Sequence, residues 1–391
     1  CHLPATPAPF RFPTFGSQPF FPSSGYPMRF VSLVALLVTT ACGGVSTADE
    51  PSAAVLLPPI PLKVTEQGEF GAYPPMTTRT SSGELFRIDY KAGIAQYAPN
   101  GSQRRLFGVA GEGPGEFRAL ASGAVLPGDS LVAVTDANRA RLMIYGVSDG
   151  AFRREIAIPP MQMTGQQWRF DGSTALIPIA LGVPVFLRWT MATDSVQLWG
   201  EPTAFRKNAM VASMSSGEPS TIRDGDGWLA LIPGEATLVR YDSAGAIVGT
   251  VPLPRRARRG EPTDAKMLTQ AMPRDGAFIP PASMAMGIHR LPDGRVLLMH
   301  LDVEGTRTGR KVELTSTKWW ATIYAADLQT ACVDQSVPFT TQEMSRLLFA
   351  GDTVMTLSRM ADDAGSVRSE LQRVRFDLTK CNWSPVAAGE K

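Results

Sequence analysis

The sequence has few charged residues, few histidines and neither the nucleophile elbow of serine hydrolases nor the metal-binding helix of zinc proteases. Charged residues make up 19% of its 391 residues and the formal net charge is +2, so there is no basic field to attract the phosphates of a nucleic acid. The Gly-x-Ser-x-Gly spacing occurs at 146–150, but there it is a polar turn after an apolar strand and not the strand-to-helix elbow of serine hydrolases, and the His-Glu-x-x-His helix of zinc proteases does not occur. We therefore expect no nucleic-acid partner and no hydrolase of these two classes.

Helical periodicity is almost absent, whereas residues that interrupt helices are abundant. The chain contains 36 Gly and 32 Pro, which cost about 1 and about 3 kcal/mol in a helix interior. Short strands joined by turns accommodate both residue types. Apolar hairpins with polar turns recur in six units, which lie at 83–97, 131–145, 168–189, 226–248, 288–324 and 352–376.

Half-apolar hairpins can share one core when they are arranged radially, because each unit buries its faces against its neighbours. We predict that residues 60–385 form one all-β domain, a six-bladed β-propeller with roughly 55 residues per blade. Segment 60–80 is expected to supply the strand that completes the last blade and closes the ring. We expect the protein to be a monomer.

One unit opens with a glycine-rich corner. Its residues are Gly111, Gly113, Pro114, Gly115 and Phe117, and the apolar strand that follows ends at Asp136. This pattern resembles an NHL-type repeat, especially that of the six-bladed propellers of secreted and lipoprotein type in bacteria. The resemblance implies a blade-joining corner in which glycine provides a positive φ. A phosphate-binding loop is disfavoured, since Pro114 and a strand follow where a helix would be needed.

The N-terminal region reads as targeting sequence. We interpret residues 1–27 as upstream reading frame, with Met28 as the true start. Residues 28–41 have a basic residue, an apolar run and small residues, as a secretion signal does, and the run is shorter than the roughly 20 residues of a membrane-spanning helix.

Cys42 follows Thr40-Ala41 and resembles the lipobox cysteine of a bacterial lipoprotein. The resemblance implies a lipid on Cys42, a flexible tether over 42–59 and attachment to the cell envelope at its periplasmic or outer surface. The alternative is a freely secreted protein, because an ordinary signal peptidase could also cut after Ala41.

Two other cysteines form an even pair in an oxidising compartment. Cys332 and Cys381 follow similar local sequences, Asp-Leu-Gln-Thr-Ala-Cys and Asp-Leu-Thr-Lys-Cys. Equivalent positions on the outer strands of neighbouring blades would bring them close, so we predict a disulfide. Two separately buried thiols are the alternative.

Two histidines flank a predicted hairpin turn at 292–295. If Leu291 lies opposite Val296, alternation places His289 and His300 on one face. Asp302 or Glu304 would then complete a metal site of two histidines and one carboxylate, for which zinc is a candidate ion. The alternative is two strand histidines without a metal.

A calcium ion is the second metal considered. Some propeller hydrolases of lactones and esters hold calcium in the central channel with Glu, Asn and Asp. Asp136 and Asn138 are candidates, but such residues in turns commonly bind their own backbone.

Two further clusters have an ordinary and a functional interpretation. The basic run 255–259 is interpreted as a solvated loop, with anionic lipids or acidic glycans as alternative partners. Trp319 and Trp320 are interpreted as blade-packing residues, with a sugar-binding platform as the alternative.

Taken together, the sequence favours a lipid-anchored binding or scaffolding module with a protein or glycan ligand over an enzyme. The alternative is a metal-assisted, lactonase-like hydrolase or lyase with its site in the propeller channel. Fold analogy does not decide between them, because propellers support both activities.

Overall fold

The computed structural model describes residues 52–62, 76–90, 92–160, 167–179, 184–207, 219–260, 275–280, 282–308, 311–340, 346–361 and 367–386. The chain divides into two compact units, 1–48 and 49–391, and all described residues belong to the second. The predicted leader 1–27, the signal 28–41 and Cys42 lie outside them. In these ranges helix is limited to α1 (Ala204–Lys207) and a 3-10 turn at Leu378–Lys380, and no helix is long and apolar enough to cross a membrane.

The rest of the described structure is dominated by short strands. In chain order they are β1 (Ala54–Leu62), β2 (Met76–Arg79), β3 (Leu85–Asp89), β4 (Gly93–Tyr97), β5 (Gln103–Phe107), β6 (Leu120–Val125), β7 (Leu131–Asp136), β8 (Arg141–Gly146), β9 (Phe152–Ala157), β10 (Arg169–Asp171), β11 (Thr174–Pro178), β12 (Phe186–Thr190), β13 (Ser195–Trp199), β14 (Ser220–Asp224), β15 (Gly227–Leu231), β16 (Thr237–Tyr241), β17 (Ile247–Pro252), β18 (Asp275–Phe278), β19 (Met284–Arg290), β20 (Val296–Thr308), β21 (Lys311–Tyr324), β22 (Thr330–Val337), β23 (Leu347–Ala350), β24 (Thr353–Ala361), β25 (Val367–Phe376) and β26 (Trp383–Pro385).

These strands form six antiparallel sheets, one for each unit predicted from the sequence. Blades 1 to 4 are β2-β3-β4-β5, β6-β7-β8-β9, β10-β11-β12-β13 and β14-β15-β16-β17. Blade 5 is built on β19-β20-β21-β22, with β18 paired to the far end of β20 and β26 added beyond β22. Blade 6 is β23-β24-β25-β1. The predicted six-bladed, all-β propeller is therefore confirmed.

An N-terminal strand closes the ring, but it starts earlier than predicted. Strand β1 pairs antiparallel with β25 and forms the outer edge of blade 6. The predicted boundary at residue 60 is corrected, because 54–59 belong to this strand and not to the tether. Its register shifts between Leu57 and Ile60, and an edge strand with such an irregularity tolerates Pro58 and Pro59, which lack an amide donor.

The core lies between the blades rather than inside any one of them. Six apolar clusters are present among the described residues, and each combines side chains of two neighbouring blades. Trp319 is 1% exposed and packs in the cluster between blades 5 and 6, as interpreted, whereas Trp320 is 5% exposed and donates to Asp302 within blade 5. The smallest cluster, between blades 6 and 1, consists of Leu62, Leu85, Ala95, Tyr97, Leu357 and Leu371.

The glycine-rich corner joins β5 of blade 1 to β6 of blade 2. Gly115 has φ +77° and a Cβ there would overlap the Phe152 ring, while its carbonyl accepts from Tyr145 Oη at 2.8 Å. Phe117 is fully buried in the cluster between these blades. Asp136 is also fully buried and accepts backbone N–H groups of residues 118, 119 and 138 at 2.8–3.2 Å. The corner and its aspartate therefore have a structural role.

The other corner glycines leave room for a neighbouring carboxylate. A Cβ at Gly111 would overlap the Glu116 side chain, whose Oε2 accepts the Gly113 N–H at 2.7 Å. Glycine is required at these positions because the Glu116 side chain lies close to the backbone, not because the backbone has a positive φ.

The predicted disulfide is present, although it forms by a different route. Cys332 on β22 and Cys381 are bonded, with Cα atoms 5.4 Å apart. Cys381 does not lie on an outer strand of blade 6. It follows the 3-10 turn after β25, where the chain returns to blade 5 and Trp383 of β26 pairs with Cys332. The disulfide thus fastens the C-terminal segment to blade 5.

Candidate binding site at the channel mouth

The innermost strands of neighbouring blades come together at their C-terminal ends. Arg223, in β14, lies 3.5 Å from Asp171, the last residue of β10. Arg290, at the end of β19, donates to Asp224 of β14 at 3.1 Å. His289 Nε2 lies 2.8 Å from the carbonyl of Gly351, in the turn after β23. We call this end of the channel the mouth, and the mouth cluster consists of Arg169, Asp171, Arg223, Asp224, Arg240, His289, Arg290 and Phe349.

Arg169 binds backbone carbonyls of two other blades. Its Nε donates to Thr221 O on blade 4 at 2.8 Å, and its Nη2 donates to Ile288 O on blade 5 at 2.6 Å. The guanidinium also lies 5.8 Å from the centre of the Phe349 ring on blade 6. Burial lowers the pKa of Arg169 to about 10, so the group keeps its charge at neutral pH. Arg169 of blade 3 therefore holds a positive charge in contact with blades 4, 5 and 6.

Gln167, two residues before β10, supports this arrangement. Its Oε1 accepts from Arg169 Nη2 at 3.2 Å, and its Nε2 donates to Met286 O at 3.0 Å. A Cβ at Gly287 would overlap the Gln167 carboxamide, which gives a reason for glycine on β19. The side chains of blade 3 thus occupy the channel just below the mouth.

His289 is held as a neutral ring. It stacks on Phe349 with ring centres 4.9 Å apart and planes 11° apart. Burial, together with the charge of Arg169, lowers the pKa of His289 to about 4. Since the Gly351 carbonyl can only accept, Nε2 carries the proton and Nδ1 remains as an acceptor.

The charged groups at the rim are paired but partly open to solvent. The side chains of Arg223 and Asp171 are 41% and 46% exposed, and the Arg223 guanidinium lies 5.3 Å from the centre of the Trp228 ring. Asp224 receives Arg290 on one oxygen and lies 3.4 Å from Arg240 Nε on the other. Exposed pairs of this kind contribute only about 0–1 kcal/mol to stability. Their hydrogen-bonding groups are therefore available to a ligand at little cost to the fold.

The sequence did not single out most of this cluster, although it carries a signal. Three short inner-strand sequences contain an arginine followed within four residues by Asp-Gly: Arg-Phe-Asp-Gly at 169–172, Arg-Asp-Gly at 223–225 and Arg-Leu-Pro-Asp-Gly at 290–294. Recurrence of this pattern at the same place in three blades would have indicated the mouth.

The predicted site of His289, His300 and Asp302 is not assembled. The hairpin pairs Arg290 with Val296 and His289 with Leu297, one residue away from the expected register. The cause is the turn, in which Leu291 N–H donates to Arg295 O and Gly294 has φ +88°, a three-residue loop with a glycine bulge. A one-residue slip exchanges the two faces of a strand, so His289 lies on the face opposite to His300 and Asp302.

His300 and Asp302, the other two residues of that predicted site, are both buried. His300 is 1% exposed. Asp302 accepts from Ser283 Oγ at 2.6 Å, Trp320 Nε1 at 2.8 Å and the Arg259 N–H at 3.2 Å. Among the described residues no group of three His, Cys, Asp or Glu is placed to hold a metal ion.

The basic run 255–259 is not a solvated loop throughout. The Arg258 side chain is 1% exposed and its Nε lies 3.1 Å from Oδ1 of Asp334, which is fully buried. Arg259 donates to Val303 O at 2.7 Å and to Glu304 at 2.6 Å. These guanidinium groups are used inside blade 5 and its edge, which leaves few of them for an anionic surface.

Comparisons with known proteins support the fold. No protein-family profile matches the sequence, and no curated protein matches it. A Bacteroides fragilis protein described as exported superposes with TM-score 0.51 at 12% identity, covering 84% of this chain and 96% of that chain. A member of the DUF4221 family from Bacteroides vulgatus superposes with TM-score 0.54 at 10% identity, covering 84% and 99%. At such identity the similarity concerns the architecture alone.

Proposed function

We propose that the protein is an exported β-propeller of bacterial NHL-like type, held at the cell envelope by a lipid on Cys42, that binds a protein or glycan ligand at its channel mouth. The export step is supported by the signal-like segment 28–41 and by the similarity to a Bacteroides protein described as exported. The corner at 111–117 supports the NHL-like assignment.

The observation that carries the binding function is the mouth cluster. Side chains from blades 3, 4 and 5 present guanidinium and carboxylate groups at the rim while backbone carbonyls hold Arg169 beneath them. A rigid base with partly exposed polar groups above it is suited to a polar ligand, because little side-chain freedom is lost when the ligand binds.

A metal-dependent reaction in the channel has less support from the residues at the mouth. The positive charge of Arg169, held between blades 3, 4 and 5, would repel a cation placed next to it. We therefore propose binding, not catalysis, as the role of this surface.

The lipid anchor is tested by Cys42→Ser in the full chain, expressed in a bacterium that processes lipoproteins. We expect the parent protein to sediment with membranes and to incorporate an alkyne-labelled fatty acid, and the variant to lose both properties. A Cys332→Ser, Cys381→Ser variant is the control and is expected to stay in the membrane fraction. Unchanged labelling of the Cys42 variant would contradict the anchor.

The mouth is tested by replacing Arg223 with a photo-crosslinking residue. Arg118 is a matched control, because its side chain is 54% exposed and paired with a carboxylate, like Arg223, but it precedes β6 at the opposite end of the channel. We expect a defined crosslinked product from position 223, none from position 118, and loss of the product on adding Arg290→Ser. Equal products from both positions, or persistence in the double variant, would contradict the assignment.

A further inference from the structure

A second polar cavity lies away from the mouth cluster, between blades 6 and 1. It has a volume of about 240 Å³ and is bounded by β1, the end of β2, the β4–β5 turn and strands β23 to β25. This is the interface with the smallest apolar cluster of the described residues. Two arginines, Arg79 and Arg373, and two hydroxyl residues, Ser82 and Thr353, contribute its polar lining.

Among the residues that the structure describes, neither guanidinium group has an opposite charge beside it. No aspartate or glutamate lines the cavity, and among the described residues no carboxylate forms an ion pair with Arg79 or Arg373. Burial, and after it the positive charge of Arg373, lowers the pKa of Arg79. The fold therefore holds two like charges near each other at a half-buried place.

The backbone holds both groups in position. Arg373 Nε donates to Pro58 O at 2.9 Å, which leaves the terminal nitrogens of that guanidinium directed away from the carbonyl. Gly83 has φ +92°, and a Cβ there would lie 3.1 Å from Arg79 Nη2, so the glycine allows the guanidinium to lie against the turn. Paired N–H groups of arginine match the two oxygens of a carboxylate or the oxygens of a phosphate.

The remaining lining is apolar. It consists of Ile60, Leu62, Leu85, Ala98, Pro99, Leu348, Ala350, Met355 and Leu371. One water molecule occupies roughly 30 Å³ in the liquid. At that volume per non-hydrogen atom, the cavity has room for about eight non-hydrogen atoms of a ligand. An oxyanion with a short hydrocarbon tail satisfies both the charge and the apolar wall.

We infer that the cavity between blades 6 and 1 is a binding site for a small organic carboxylate with an aliphatic tail, whose carboxylate lies between Arg79 and Arg373. This inference is independent of the function proposed for the mouth, since it uses none of the mouth residues.

The test is calorimetric titration of the full chain with sodium hexanoate, compared with acetate and with 1-hexanol. Hexanoate has both the charge and the tail, acetate lacks the tail, and hexanol lacks the charge. We expect hexanoate to bind at least tenfold more tightly than either, and the binding to weaken as sodium chloride is raised. The inference would be overturned if hexanol bound as tightly as hexanoate. It would also be overturned if hexanoate gave no heat of binding at concentrations up to tenfold above those used for acetate.

Variants separate a ligand site from a structural role. Arg79→Met keeps the length of the side chain but removes the charge, so we expect at least a tenfold loss of hexanoate affinity. The same change relieves repulsion from Arg373, so its thermal midpoint without ligand should equal or exceed that of the parent. A clearly lowered midpoint would assign Arg79 to the fold and overturn the proposal. Arg373→Met serves as the second variant and Arg118→Met as the control, with unchanged affinity expected for the control.

Discussion

Replacement of Asp334 tests whether the basic run 255–259 is part of the core. Asp334 Oδ2 accepts three consecutive backbone N–H groups, those of residues 256, 257 and 258, at 2.6–3.2 Å. Its Oδ1 accepts Arg258 Nε at 3.1 Å and Thr322 Oγ1 at 3.3 Å. Asp334→Ala leaves a buried guanidinium and three amides without this acceptor. Breaking a buried pair from one side costs about 3–5 kcal/mol, and we expect this loss in the free energy of unfolding.

The backbone at this position provides the matched control. Asp334 has φ +48°, a conformation that asparagine tolerates better than alanine. Asp334→Asn keeps the shape and one acceptor oxygen while removing the charge, so we expect a loss of about half that of alanine. Adding Arg258→Met to Asp334→Ala removes the uncompensated charge and should restore more than about 1 kcal/mol.

Urea unfolding followed by tryptophan fluorescence measures these differences by linear extrapolation. An Asp334→Ala variant within about 0.5 kcal/mol of the parent, the range of ordinary surface changes, would refute the reasoning. A double variant no more stable than the single one would refute the part assigned to the buried charge.

Three further predictions concern the disulfide, the mouth and the blade corner. Cys332 and Cys381 close a loop of 49 residues, so replacing both by serine should lower the free energy of unfolding, measured in urea, by up to about 4 kcal/mol. A reducing agent should not change the stability of that variant. Equal stability of parent and variant would contradict this prediction. Folding lowers the pKa of His289 from 6.5 to about 4. Between pH 4 and 6.5 the unfolded chain therefore binds one more proton than the folded protein, and the stability of the fold increases with pH. A histidine NMR signal of the folded protein that titrates near 6.5 and disappears in His289→Gln would contradict this prediction. Gly115→Ala should destabilise more than Gly128→Ala, because both glycines have positive φ but only Gly115 has a ring where the Cβ would go; equal losses in thermal unfolding would contradict the steric argument.

The blades could be predicted from the sequence because their signals are local. Turn residues separate apolar strands at regular intervals, and each of the six predicted units corresponds to one observed sheet. The last described strand, β26, ends at Pro385, and the predicted end of the domain at 385 stays a prediction. The start was placed six residues late, because a strand that contains Pro58 and Pro59 has the composition of a linker.

Side-chain positions at the turns were less predictable. The register of β19 and β20 depends on whether Gly294 completes a two-residue or a three-residue loop, and the sequence Pro-Asp-Gly-Arg permits both. One residue of difference moved His289 from the face of His300 to the opposite face. The mouth depends on contacts between blades, such as that of Arg169 with Ile288, which are 119 residues apart in the sequence. No local pattern encodes such a distance.

The position of the proposed carboxylate site follows from the way in which the ring of blades is closed. Each of blades 1 to 4 is built from four strands that are consecutive in the chain, whereas blade 6 takes its outer strand from the N-terminal segment. The irregularity at Pro58 leaves a carbonyl outside the regular ladder, and this carbonyl orients Arg373. Among the described residues, the neighbouring interface contains fewer buried apolar side chains than any other, and a cavity lies there beside an oriented cation. A closing strand with regular pairing would remove both the free carbonyl and the space, which connects the position of the site to the way in which the ring is closed.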